Sequence, residues 1–119
     1  DYMILSYKIS RVPAPAATGG VVRPGRDIWV SLRQNGRFHE VAAAYWTEPE
    51  AAAGLTVVRG RTRGGDSGGM IRVDYDIEKY FVPEGKGQPR FKEMVVEATV
   101  SEAHRLGIKR LLIDGKAYP

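Results

Sequence analysis

An all-β fold is what this sequence predicts: a single-domain sandwich or small barrel of about seven short strands, with at most one or two short helices. Three observations carry that expectation. Apolar residues recur at every second position in several short runs, as in strands with one buried face. Clusters of Gly, Pro and Asn separate the runs. No stretch sustains the 3.6-residue period of a long amphipathic helix. At 119 residues the chain is sized for one domain spanning 1–119, with a real core.

The opening stretch, residues 1–10, alternates: Met3, Leu5, Tyr7 and Ile9 on one side, Ser6, Lys8 and Ser10 on the other. It reads as the first strand. Residues 12–25 hold Pro13, Pro15, Gly19, Gly20, Pro24 and Gly25. Proline removes ladder donors and glycine frees the backbone, so this is a long surface loop, a mobile connection or a functional flap. Residues 27–32 place Ile28, Val30 and Leu32 on one face and Trp29 on the other. Asn35-Gly36 then predicts a hairpin whose two central residues both take φ > 0, with the return strand over 37–46. Residues 48–54 read as a loop or one helical turn, with Pro49 near its start and Gly54 after it. Strands follow over 55–63 and 70–75, the second burying Ile71, Val73 and Tyr75, joined by the glycine-rich loop 64–69. A turn is expected at 83–85 and a short helix over 88–93. Residues 94–100 alternate Met94, Val96, Ala98 and Val100 inward. Residues 101–107 are an irregular turn or one helical turn capped by Ser101, and 108–113 form the last strand.

Composition bounds function as well. The net charge is +4, the hydrophobic content 43% and the cysteine count 0, a folded chain with neither disulfides nor thiolate metal sites. No apolar run approaches the roughly 20 residues that cross a bilayer. Arg59, Arg61 and Arg63 recur at every second position and would form a basic stripe along one strand face. Such a stripe can meet phosphates or lipid headgroups, but basic residues also protect edge strands. Acidic residues are scattered elsewhere and no aromatic stripe accompanies the arginines, so no nucleic-acid partner is expected.

Asp1-Tyr2-x-x-Leu5-x-Tyr7 resembles the motif that names the bacterial GDYXXLXY proteins, with the leading glycine just ahead of Asp1. Residues 77–87, Ile77-Glu78-Lys79-Tyr80-Phe81-Val82-Pro83-Glu84-Gly85-Lys86-Gly87, are similar to that family's other well-marked segment, and 111–115 to its C-terminal end. The resemblance implies an upstream membrane anchor, a domain on the extracytoplasmic (periplasmic) face of the bacterial inner membrane, and a polytopic membrane protein as partner. It brings no settled biochemical activity with it, and no cofactor is expected. In the residues themselves, Leu5 and Tyr7 read as core and Asp1 as a turn-holding group. Tyr80 and Phe81 beside a Pro-Glu-Gly turn could border a shallow pocket with Pro83, Glu84 and Lys86, or simply plug one end of the core. Trp29, on the strand face opposite the core residues, is expected to be exposed and to anchor a protein contact.

Reactive constellations are weak. Gly64-Gly65-Asp66-Ser67-Gly68-Gly69 resembles the nucleophile setting of trypsin-like serine proteases, and His39 precedes Ser67. The separation is too short for the strands of that two-barrel fold, and turn residues explain the string. His39 and His104 have no partner at metal-ligand spacing, so no metal is expected. Asp74/Asp76 and Glu48/Glu50 would share strand faces and raise each other's pKa, as an acid/base pair requires. Asp1-Tyr2-x-x-Leu5 followed by 25–30 also resembles paired strands of signal-peptidase-like folds, without the serine of their Ser–Lys dyad. The reading is therefore a non-enzymatic, membrane-tethered domain acting by protein contact. The alternatives are a small-molecule or peptide-binding domain using the 80–87 turn, and a hydrolase with an acid pair.

Overall fold

The computed structural model describes residues 2–4, 7–65, 68–82 and 89–118. Among them lie ten strands and one 3-10 turn: β1 (Tyr2–Ile4), the turn Lys8–Ser10, β2 (Arg11–Pro13), β3 (Asp27–Asn35), β4 (Phe38–Tyr45), β5 (Leu55–Gly65), β6 (Met70–Asp74), β7 (Lys79–Phe81), β8 (Met94–Val100), β9 (Leu106–Ile113) and β10 (Lys116–Tyr118). The protein is all-β, as the alternation predicts. Every pairing is antiparallel.

Five strands in the order β2-β6-β5-β3-β4 form the main sheet. Its end strands β2 and β4 come into contact, so it curls into a nearly closed barrel. A second sheet has the order β10-β9-β8, and β1 pairs with β7. Inside the barrel, Ile28, Val30 and Leu32 of β3 face Val58 of β5, Ile71 and Val73 of β6, and Val12 of β2. Ile28, Val30, Leu32, Ile71 and Val73 are the alternate positions that the period-two pattern assigns to the core, whereas Val12 comes from the stretch read as a surface loop. Tyr75 and Ile77 close the cluster. Tyr75 is only 1% exposed and its hydroxyl donates to the carbonyl of Ile9 at 2.6 Å. A smaller cluster around Leu111 and Val82 underlies the three-stranded sheet, and Tyr7 and Ile108 pack against both clusters.

Several local expectations change. The opening stretch is not one long strand: β1 ends at Ile4, and a 3-10 turn over Lys8–Ser10 redirects the chain into β2. The Tyr7 carbonyl accepts the Ser10 N–H, and the Tyr7 N–H donates to Ser10 Oγ, both at 3.0 Å. Part of the stretch read as surface loop is therefore the edge strand β2, where Pro13 is tolerated because it ends the pairing. The hairpin at Asn35-Gly36 exists, but its two-residue loop is Gly36-Arg37, between paired Asn35 and Phe38. Gly36 alone of the two has positive φ, +64°, the pattern of a type II′ rather than a type I′ turn. Residues 101–105 form an irregular turn, not a helical one. The His104 N–H donates to the Ser101 carbonyl, and Ser101 Oγ accepts the Arg105 N–H.

No helix forms over the described residues 89–93. Asp114 holds that segment instead. One carboxylate oxygen accepts the N–H groups of Lys92 and Glu93 at 2.9 and 2.7 Å, while the Asp114 N–H donates to the Glu93 carbonyl. Asp114 sits at φ +49°, a conformation that Asp and Asn tolerate better than other side chains. Asp114→Ala is expected to lower stability by about 1–2 kcal/mol, and Asp114→Asn by much less, measured as urea midpoints. Equal losses for the two would show that the acceptor oxygen is not what holds the segment.

Candidate groove between the two sheets

The barrel and the three-stranded sheet do not pack face to face along their whole length. Where they part, a groove of about 880 Å³ opens. One wall is β8, the other the β3–β4 hairpin end and the 3-10 turn, with Ile77 and Leu32 at its base. The lining is mostly apolar, including Tyr7, Ile9, Phe38, Phe91, Met94 and Val96. Phe38, Phe91 and Val100 remain exposed there at 41%, 47% and 42%. Charged residues border it, Lys8, Arg37, Glu93, Glu97 and Lys109, together with His39. Arg37 Nη2 lies 3.1 Å from Glu93 Oε1, an ion pair that ties the hairpin tip to the approach to β8. Glu97 is held by Arg110 at 2.7 Å. An apolar trough with a polar border is the general form of a ligand-binding or active site. A second cavity, about 470 Å³, is lined by Pro13, Ala14, Tyr45, Trp46 and small neighbours without a charged group.

The segments that carry the family resemblance meet beside this groove. β1 pairs with β7 in the register Tyr2↔Phe81, Met3↔Tyr80 and Ile4↔Lys79. Tyr7 donates its hydroxyl proton to the carbonyl of Ile77, and both residues line the groove. Burial, with Glu78 nearby, pushes the Tyr7 phenol well above its ordinary pKa, so it stays a neutral donor. Tyr80 is half-buried and its hydroxyl donates to the Tyr118 carbonyl at 2.6 Å, with the two rings 6.4 Å apart. It fastens β7 to the end of the chain and lines neither cavity. Phe81 is exposed, also away from both cavities. Pro83, Glu84, Lys86, Asp1 and Leu5 lie outside the described residues, as does Ser67 of the glycine-rich string.

Trp29 is half-buried, not exposed. It lies in a cross-strand row with Tyr45 and Arg59, and the Arg59 guanidinium covers its ring at 4.9 Å. Arg59 also bonds Asp27 Oδ2 at 2.7 Å, and Arg61 approaches the same carboxylate at 3.8 Å. The Arg59 hydrogen bond holds the Asp27 carboxyl below its ordinary pKa. Arg63 falls at a bulge, the extra residue between the pairs Thr62↔Val73 and Gly64↔Arg72, and its charge acts on Asp74. The basic stripe is thus largely committed to acidic neighbours within the fold.

Neither acid pair read from i,i+2 spacing forms. β6 ends at Asp74, and Asp76 takes φ +65° and gives its N–H to Asp74 Oδ1. The carboxyl that meets Asp74 is Glu78, brought round by that turn. Glu78 is 9% exposed, and its oxygens accept the N–H groups of Tyr75 and Ile77 at 2.8–3.2 Å. Burial and the Asp74 contact push its pKa up to about 7, while Asp74 is held low. The Glu78 oxygens are taken by backbone donors and neither carboxyl lines either cavity, so the pair braces a turn. Among the described residues no three His, Cys, Asp or Glu side chains are grouped to hold a metal ion. Glu48 sits 3.6 Å from His104 Nε2 on the exterior.

The groove residues Phe38, Phe91, Lys109 and Ile77 escape sequence reading because four separate parts of the chain supply them. The one signal available is the pair of large aromatic residues in otherwise polar stretches. A family model described as GDYXXLXY protein matches residues 1–118. No curated protein and no solved structure matches the chain.

Proposed function

For a chain that belongs to the GDYXXLXY protein family, we propose a non-enzymatic role: the groove between the two sheets binds an apolar segment of a partner protein. The observation that carries this reading is the groove itself, a trough bordered by exposed Phe38, Phe91 and Val100. The setting that the resemblance implies, a membrane-tethered extracytoplasmic domain beside a polytopic membrane protein, is part of the proposal. The two carboxylates that border the groove, Glu93 and Glu97, are each paired with an arginine, which supports binding over hydrolysis. The 80–87 turn is less suited as the contact, because Tyr80 is occupied in joining β7 to β10.

The test separates the two surfaces. Phe38→Ser and Phe91→Ser remove half-exposed rings whose further burial on binding contributes about 1 kcal/mol each. Each is expected to weaken capture of the partner from detergent-solubilised bacterial membranes by about five- to ten-fold. Phe81→Ser, at an exposed site away from the groove, is expected to leave capture unchanged. The opposite pattern would move the contact to the 80–87 turn, and no capture by the parent chain would sink the reading.

A further inference from the structure

The groove does more than expose apolar side chains: it runs along an unpaired strand edge. Among the described residues β8 ends its sheet and pairs with β9 alone. Among the described residues no backbone hydrogen bond from its other side is found. Side chains of a strand alternate between faces, so a cavity over one face touches every second residue. This groove is instead lined by Met94, Val95, Val96, Glu97 and Ala98 in succession, which places it beside the main chain of β8. Outward N–H and C=O groups there are a template for another strand.

The charges beside that edge select what can lie in it. Glu93 and Glu97 are neutralised by Arg37 and Arg110. Lys8 and Lys109 are exposed and have no ion-pair partner among the described residues. Lys109 is the extra residue of a bulge, between Glu97↔Arg110 and Ala98↔Ile108, and bulges re-aim side chains. Here the re-aimed side chain borders the groove. Its uncompensated charge is positive.

Building on the groove as the binding surface, we propose that its occupant is an extended peptide segment of a partner protein. The segment has alternating apolar residues and acidic flanks, and binds by adding a strand to the free edge of β8. Main-chain hydrogen bonds to β8 supply affinity in any sequence. Alternate apolar side chains fill the trough beside Phe38 and Phe91, and the acidic flanks meet Lys8 and Lys109.

The test uses the full chain and a display library of random peptides of about ten residues, long enough to run the length of a strand. Selected peptides are expected to alternate apolar residues between acidic ends and to slow amide exchange along β8. They are expected to bind about ten-fold more weakly once alternate backbone nitrogens are methylated, because the edge then loses its partners while the side chains remain. The double variant Lys8→Glu/Lys109→Glu is expected to lose the preference for acidic flanks. Selected peptides that need Phe38 and Phe91 but ignore N-methylation would overturn strand addition and leave the groove reading intact. Peptides insensitive to Phe38→Ser and Phe91→Ser, or none enriched at all, would overturn both. Tight binding of a fluorescent fatty acid in place of any peptide would overturn the occupant.

Discussion

Gly60→Ala is expected to destabilise the protein by about 2–3 kcal/mol and to lower Tm by roughly 10 °C, although it adds one methyl group to a strand interior. Gly60 lies in β5 opposite Ile28, facing the core beneath Tyr75. A Cβ there would stand 2.6 Å from Val73 Cγ1, 2.8 Å from the Asp74 carbonyl oxygen and 3.1 Å from Tyr75 Cδ1. The carbonyl cannot yield, because Asp74 is paired in register with Arg61. Tyr75 cannot swing away without leaving the Ile9 carbonyl unpaired. Against this, alanine narrows the unfolded ensemble and returns less than about 1 kcal/mol. Gly65→Ala is the matched control. Its Cβ would meet only Met70 O at 3.8 Å, so its urea midpoint is expected within about 0.5 kcal/mol of the parent. If Gly60→Ala unfolds at the same urea concentration as the parent, the packing of Tyr75 over Gly60 is not what closes this end of the core.

That contact also marks the boundary of what the sequence makes legible. A glycine inside a strand pattern announces a bulge or a close approach, yet nothing in Arg59-Gly60-Arg61 says that a tyrosine from beyond the next strand fills the space. Periodicity identifies Ile28, Val30, Leu32, Ile71 and Val73 correctly because those runs are uninterrupted. It falters at bulges: Ala42, Arg63 and Lys109 are each the extra residue of a pair, and beyond them the faces exchange. It is silent on β2, β7 and β10, whose three residues are too few to display an alternation. Residues 1–10 mislead for a different reason. The spacing of Met3, Leu5, Tyr7 and Ile9 fits one strand, but the Tyr7 hydroxyl bond to Ile77 and the Ser10 cap favour a turn. Trp29 alternates outward as expected and is then covered by Arg59, a side-chain event that a face assignment cannot express. The groove is least legible of all, being the space left between two sheets.

The second large effect is a dependence of stability on pH centred on Glu78. Its folded pKa of about 7 lies above the ordinary 4.5, because burial and the Asp74 carboxylate both oppose its ionisation. Between those values the native chain holds a proton that the unfolded chain releases, so stability falls as pH rises. The contribution is complete below about pH 4.5 and gone above about pH 7, worth about 2–3 kcal/mol across the window. Asp74 has the opposite sign. Its pKa is lowered, so its contribution is present above its ordinary value and lost as pH falls through the folded one. The two together place the pair's best stability in mildly acidic solution, with one proton shared between the carboxyls. Glu78→Gln keeps an oxygen for the Tyr75 and Ile77 N–H groups and supplies Asp74 with a donor that never ionises. The variant is therefore expected to match the parent within about 0.5 kcal/mol at pH 5 and to exceed it by about 2 kcal/mol at pH 8. Urea titrations of both proteins from pH 5 to 8 give the answer, since subtracting one profile from the other cancels every other titrating group. Parallel profiles would show that Glu78 carries no proton linked to folding. Because Ile77 both donates to Glu78 and accepts from Tyr7 at the base of the groove, the turn that loses stability at high pH is the one that shapes the binding surface. Affinity for the groove's occupant is expected to weaken over the same window in the parent and not in Glu78→Gln.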